Sequence, residues 1–184
     1  MPVSTDKSNW QSLSLLKSDR SYKFMSSPRI VANTSRCFYS AIQSELLVIL
    51  KQKLSNQGRV YPEWALKLRL NESDWFPVPA LTYISYERLG SDWMFDEFCP
   101  IAPEIVFEIV QKDQRLDAVV AKVHDYLESG VLGVFLINPY SQTIILSTLN
   151  QASKTFTGET IIENQFFPEW NLSPKILFER AGFG

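Results

Sequence analysis

Two glutamates in one apolar stretch, Pro103-Glu104-Ile-Val-Phe-Glu108-Ile-Val, set the first chemical question in this chain. At a spacing of four residues on a strand, Glu104 and Glu108 project from one face, with Val106 between them. A carboxylate set into a buried strand is costly unless something compensates its charge. A divalent cation is one compensation and a paired Lys or Arg is another. Spacing alone favours the structural salt bridge. Lys122 follows on the next predicted helix, at the edge of its apolar stripe and flanking Tyr126. A lysine there can run its stem along the sheet and bring its ammonium to the strand face. Carboxylates that hold Mg²⁺ or Mn²⁺, with a Lys beside them, would make a hydrolytic site. The cation would polarise a phosphate and lower the pKa of a bound water, and the Lys would stabilise developing negative charge. The plainer alternative is a rim lysine pairing with Asp125 or Tyr126.

The surrounding pattern predicts the elements that must position these groups. Residues 1–35, rich in Ser, Lys and Asn, are expected to form an irregular N-terminal arm before a single domain over 36–184. Phe38, Ile42, Leu46, Ile49 and Leu50 recur at helical spacing, so a helix is predicted from Cys37 to Leu54, with Gly58 as its C-terminal cap. In RVYPEWALKLRL, residues Trp64, Leu66, Leu68 and Leu70 alternate with Glu63, Ala65, Lys67 and Arg69, which predicts a half-buried strand carrying Glu63 on its polar face. A turn over 71–77 and a strand over 80–85 follow. A longer connection over 87–102 carries Trp93, Met94, Phe95 and Phe98. The run 105–110 is almost wholly apolar and predicts a central strand covered on both faces. Leu116 to Gly130 predicts the clearest helix, with Leu116, Val119, Val120, Val123, Tyr126 and Leu127 as its stripe. Strands are predicted at 133–138 and 143–149, an edge strand at 160–162, and a short closing helix or two in FFPEWNLSPKILFE. The fold class is α/β, in the order helix, three strands, helix, strands.

Composition narrows the chemistry. The single histidine, His124, excludes a multi-histidine metal centre within one chain. Cys37 and Cys99 match no zinc spacing and are read as reduced thiols. The net charge of −2 is not that of a protein coated in nucleic acid. It is uneven, however. Residues 1–40 hold six basic and two acidic residues, net +4, and the rest hold 12 basic and 18 acidic, net −6. A basic arm can touch phosphate. No apolar run approaches the roughly 20 residues that cross a bilayer, and MPVSTDKSNWQS lacks the apolar stretch of a secretory signal, so a cytoplasmic protein with no membrane partner is expected. The aromatic density of 87–102 suits an interface core, and a homodimer is expected.

The order of motifs resembles the Uma-two (Uma2) family of restriction-endonuclease-like proteins. The carrying residues are Pro103-Glu104-Ile-Val-Phe-Glu108, then Asp117, Lys122, Tyr126 and Gly130-Val131 on the helix. Gly133 to Asn138-Pro139 and the Phe-Phe-Pro tail complete the match, which covers most of the chain after about residue 37. The resemblance implies a PD-(D/E)xK core, a mixed central β-sheet flanked by helices, and Mg²⁺-dependent cleavage of DNA. It implies Glu108 as the catalytic acid. The Lys of the motif would fall at Val110, and in this family it comes from the following helix, which is Lys122 here. One departure is serious. The first metal-binding Asp should follow Pro79, where this chain has Ala80. Asn138 replaces a further Asp, a milder change. Glu63 or Glu104 could supply a migrated carboxylate to a weakly bound cation. The expected function is therefore a metal-dependent endonuclease impaired at Ala80. The alternative is a catalytically silent nuclease-fold module that binds nucleic acid or forms a dimer.

Overall fold

A computed structural model describes residues 36–183 apart from 169. The arm expected over 1–35 lies outside the described residues. Helix α1 (Cys37–Leu54) opens the fold, and its stripe Ile42, Leu46, Ile49, Leu50 and Leu54 is buried. Gly58 does not cap it. It begins strand β1 (Gly58–Pro62), where a Cβ would stand 2.4 Å from the Ile84 carbonyl oxygen, so close strand approach demands the glycine.

The strand expected over 64–70 is divided. β1 ends at Pro62, and Glu63 takes φ +48, which breaks the extended run. β2 (Leu68–Leu70) then pairs with β3 (Ser73–Trp75) in a separate two-stranded hairpin. Asn71 and Glu72 at φ +47 and +66 form its two-residue turn, the backbone that a twisted hairpin prefers. Alternation alone could not see this, because a bend leaves the apolar period intact on either side.

The main sheet runs β1-β4-β5-β6-β7-β8, with β4 (Leu81–Ser85), β5 (Ile105–Ile109), β6 (Gly133–Asn138), β7 (Thr143–Thr148) and β8 (Lys154–Thr157). Only β5 and β6 pair in parallel, joined through α2 (Leu116–Glu128), so the sheet is mixed. β5 is buried at every position, as a strand covered on both faces must be. The late edge strand is β8 rather than 160–162, which is irregular and donates the Ile162 amide to the Leu172 carbonyl. Helix α3 (Pro174–Arg180) starts with Ser173, whose hydroxyl accepts from the Ile176 amide.

Two apolar clusters sandwich the sheet. On one face α1 and α3 pack Ile42, Leu46, Leu50, Leu177 and Phe178 against Leu81, Ile105, Phe107 and Phe135. On the other, Val123, Tyr126 and Leu127 of α2 meet Ile84, Val106 and Val134, together with Leu66 and Leu68. The 87–102 connection is fastened by Arg59. Its buried guanidinium donates to the carbonyls of Leu89, Gly90 and Trp93 at 2.7, 2.6 and 2.6 Å. Among the described residues no helix is long and apolar enough to cross a membrane.

Candidate active site

Glu108 stands near the carboxyl end of β5, the central strand, beside its parallel neighbour β6. Crevices outside the carboxyl ends of parallel strands are where open α/β sheets take ligands. Val106 and Glu108 face α2, while Ile105, Phe107 and Ile109 face α1. The alternation read from PEIVFEIV thus sets the acid on the helix-α2 side.

Lys122 comes to that acid. Its Nζ lies 2.7 Å from Glu108 Oε1, with the lysine side chain a third exposed and the glutamate nearly buried. Tyr126, one helical turn further along α2, is fully buried and donates its hydroxyl to the same Oε1 at 2.7 Å. The Lys122 ammonium stands 5.5 Å from the centre of the Tyr126 ring. The hairpin adds Trp75, whose ring lies 4.9 Å from that of Tyr126. Burial above all, then the charge of Glu108 and the bond to it, pushes the Tyr126 hydroxyl far above its usual range. It is a donor and stays one. Lys122 therefore makes an ion pair with Glu108 rather than with Asp125, and it also lies over the Tyr126 ring. The sequence showed Tyr126 as a stripe residue without its polar partner. Trp75 fell in a predicted turn and carried no signal.

The other candidate acids are placed differently. Glu104 is four residues from Glu108, about 13 Å along a strand. It accepts from the Ser85 amide at 3.1 Å and also from the Ser85 hydroxyl. The structure does not bring it to Glu108. Glu63 sits at the bend after β1, exposed, and its amide donates to the Ala80 carbonyl at 3.2 Å. Ala80 is 1% exposed. Leu81–Phe107 is the outermost pair of the antiparallel β4–β5 ladder, and Ala80 directly precedes β4 and belongs to the α1-side apolar cluster.

A Mg²⁺ centre of the kind the resemblance implies wants two carboxylates here. Ala80, where the resemblance puts the second one, offers a methyl group. Thr82, on the same strand, has a buried hydroxyl with no partner among the described residues, but a neutral oxygen does not replace a carboxylate. Among the described residues no group of three or more His, Cys, Asp or Glu side chains is placed to hold a metal. The residues present do not complete that centre. A cavity of about 160 Å³ lies elsewhere, lined by Leu50, Leu54, Phe166, Phe167 and Trp170 on the α1 side, with Lys53 and Gln57 as its polar members.

The fold has relatives. A protein of Anabaena variabilis ATCC 29413, described as a putative nuclease belonging to DUF820, superposes with a TM-score of 0.74 at 22% identity. The match covers 92% of this chain and 96% of that one, and it establishes a shared fold. The DrdV–DNA complex matches at a TM-score of 0.37 and 10% identity, over 65% of this chain and 85% of that one, and supports no argument. No curated protein matches the chain. The model of the Uma2 family, described as "Putative restriction endonuclease", matches residues 13–175, and the chain belongs to that family.

Proposed function

We propose that this chain acts on DNA as a metal-dependent endonuclease impaired at Ala80, with Glu108 as its catalytic acid and Lys122 as the cation that faces phosphate. The Lys122–Glu108 ion pair at the carboxyl end of the central strand carries the reading. The exposure of Lys122 supports its part in this reading. Its side chain is a third exposed, so the ammonium remains open to a phosphate oxygen while it neutralises Glu108. In this reading Mg²⁺ or Mn²⁺ binds weakly, because one ligand is absent and Glu104 is committed to Ser85.

A plasmid-nicking assay tests the proposal. Slow nicking in Mg²⁺ or Mn²⁺ that disappears in Glu108→Ala and Lys122→Ala is the expected result. Rapid nicking by the natural chain would mean a complete centre and would direct attention to Glu63 as the substitute acid. The second reading, a catalytically silent nucleic-acid-binding or dimerisation module, is favoured by the two donors that already converge on Oε1. Neither nicking nor Mn²⁺ binding, together with salt-dependent DNA affinity, would establish it. A homodimer belongs to the proposal too. Met94, Phe95 and Phe98 are 77, 63 and 53% exposed on the connection that Arg59 fastens, an apolar surface suited to a second copy.

A further inference from the structure

The α1 side of the sheet, opposite the face that carries Glu108, holds a cavity that the activity proposed above does not use. It measures about 160 Å³ and lies between the end of α1 and the irregular segment before α3. Leu50 and Leu54 form one side, and Phe166, Phe167 and Trp170 form the other. Local bonds hold the aromatic wall in place before any ligand arrives. Asn164 Oδ1 accepts from the amides of Phe166 and Phe167 at 3.0 and 2.7 Å, and the Trp170 amide donates to the Phe167 carbonyl at 3.0 Å. The Phe166 ring is seated on Gly133, where a Cβ would stand 2.7 Å from it. The Trp170 ring meets those of Phe135 and Phe167 edge-on, with centroids 5.4 Å away in each case. A wall fixed in this way loses little entropy on binding.

The polar groups of this apolar space are rich in donors. Trp170 is 5% exposed, and its indole N–H is buried with no hydrogen-bond partner among the described residues. That group can only donate, and an unmet buried donor is costly. Lys53 and Gln57, both exposed, bring an ammonium and an amide to the mouth. The flexible lysine stem lets its ammonium follow a ligand inward. Such a set of donors wants an acceptor that carries negative charge, and the lining wants an apolar body. An apolar cavity of about 150 Å³ admits one benzene ring.

We propose that this cavity is a binding site for a small carboxylate with an apolar body, the size of an aromatic acid of one ring. The body lies between Leu50, Leu54 and Phe167, and the carboxylate accepts from the Lys53 ammonium and from the Trp170 N–H. The site stands apart from Glu108 and does not depend on the nuclease reading.

Benzoate titrated into the full chain is the probe. The ¹H–¹⁵N indole signal of Trp170, identified by its loss in Trp170→Phe, reports the site. It should move downfield and saturate as the unmet N–H gains an acceptor, with a Kd on the order of 0.1–1 mM for so small a ligand. Benzyl alcohol has the ring without the charge and should bind about tenfold more weakly. Acetate has the charge without the ring and should leave the signal in place. Lys53→Gln changes an exposed side chain, so the fold survives it. It should weaken benzoate about tenfold and leave benzyl alcohol unchanged. An indole signal unmoved by benzoate well above that Kd would overturn the proposal. Equal affinity for benzoate and benzyl alcohol would overturn it as well, because the cavity would then be an apolar crevice with no anion site. So would a Lys53→Gln chain that binds benzoate as tightly as the natural one. If Trp170→Phe does not fold, calorimetry of the natural chain and Lys53→Gln with the same three probes gives the same decision.

Discussion

Replacing Ala80 by Asp adds a carboxylate one residue before β4, and with the β4–β5 register continued by one step it would stand across from Glu108. Directly opposed residues hold their Cβ atoms about 5 Å apart. Two unit charges at about 5 Å repel by about 3 kcal/mol at an effective dielectric constant near 20. Ala80 is 1% exposed, so water offers little screening, while Lys122 offsets part of the repulsion. In chelator the variant should lose about 2–3 kcal/mol, a drop of roughly 4–12 °C for a domain of this size. A cation that binds only the folded state at 100 times its dissociation constant returns about 2.7 kcal/mol, which nearly cancels the loss. Paired thermal melts in chelator and in Mg²⁺ measure this, with plasmid nicking as the functional readout. The natural chain should show a much smaller metal-dependent gain. An equal loss of melting temperature with and without Mg²⁺ would refute the reasoning. It would mean that the new side chain stays in the α1-side cluster, to which Ala80 belongs, and that Ala80 is not the family's ligand position.

Other perturbations probe separate parts of the molecule. Arg59→Leu should cost about 3 kcal/mol, because it leaves the carbonyls of Leu89, Gly90 and Trp93 without their donor, and a lowered urea midpoint would show it. Cys99, fully buried, should resist a disulfide reagent at pH 8 in the native state while exposed Cys37 reacts, giving one fast thiol where the denatured chain gives two. Burial raises the Cys99 thiol from 9.0 to about 11, so the stability it contributes is complete below pH 9 and is lost as pH rises through 11. The sign follows because the folded state binds more protons in that window. Melts across pH 8–11, compared with Cys99→Ala, measure it. Light scattering at micromolar concentration should give the mass of two chains, and Phe95→Ser with Phe98→Ser should return one; a monomer mass for the natural chain would remove the dimer.

Sequence by itself determined the elements marked by a helical apolar stripe or a continuous apolar run. Helices α1 and α2 lie where their apolar stripes placed them, because an amphipathic helix buries one face whatever it packs against. The continuous apolar runs of β5 and β6 likewise announced strands, and that of β5 a strand covered on both faces. The family resemblance was carried by the same stretch. The Glu108–Lys122 pairing was legible too, since a lone acid in such a strand demands a partner and a stripe-edge lysine on the next helix can reach it. Tertiary structure alone decided the rest. Backbone bends at Glu63, Asn71 and Glu72 divided one apparent strand and built a hairpin, and a period of two carries no trace of a bend between its repeats. Pairing of β4 with β5 left Glu104 with Ser85, a long-range contact that residue spacing within one strand does not contain. The partner of the Tyr126 hydroxyl, its brace Trp75 and the role of Arg59 arise from segments 18 or more residues apart, and only the folded chain brings those groups into contact.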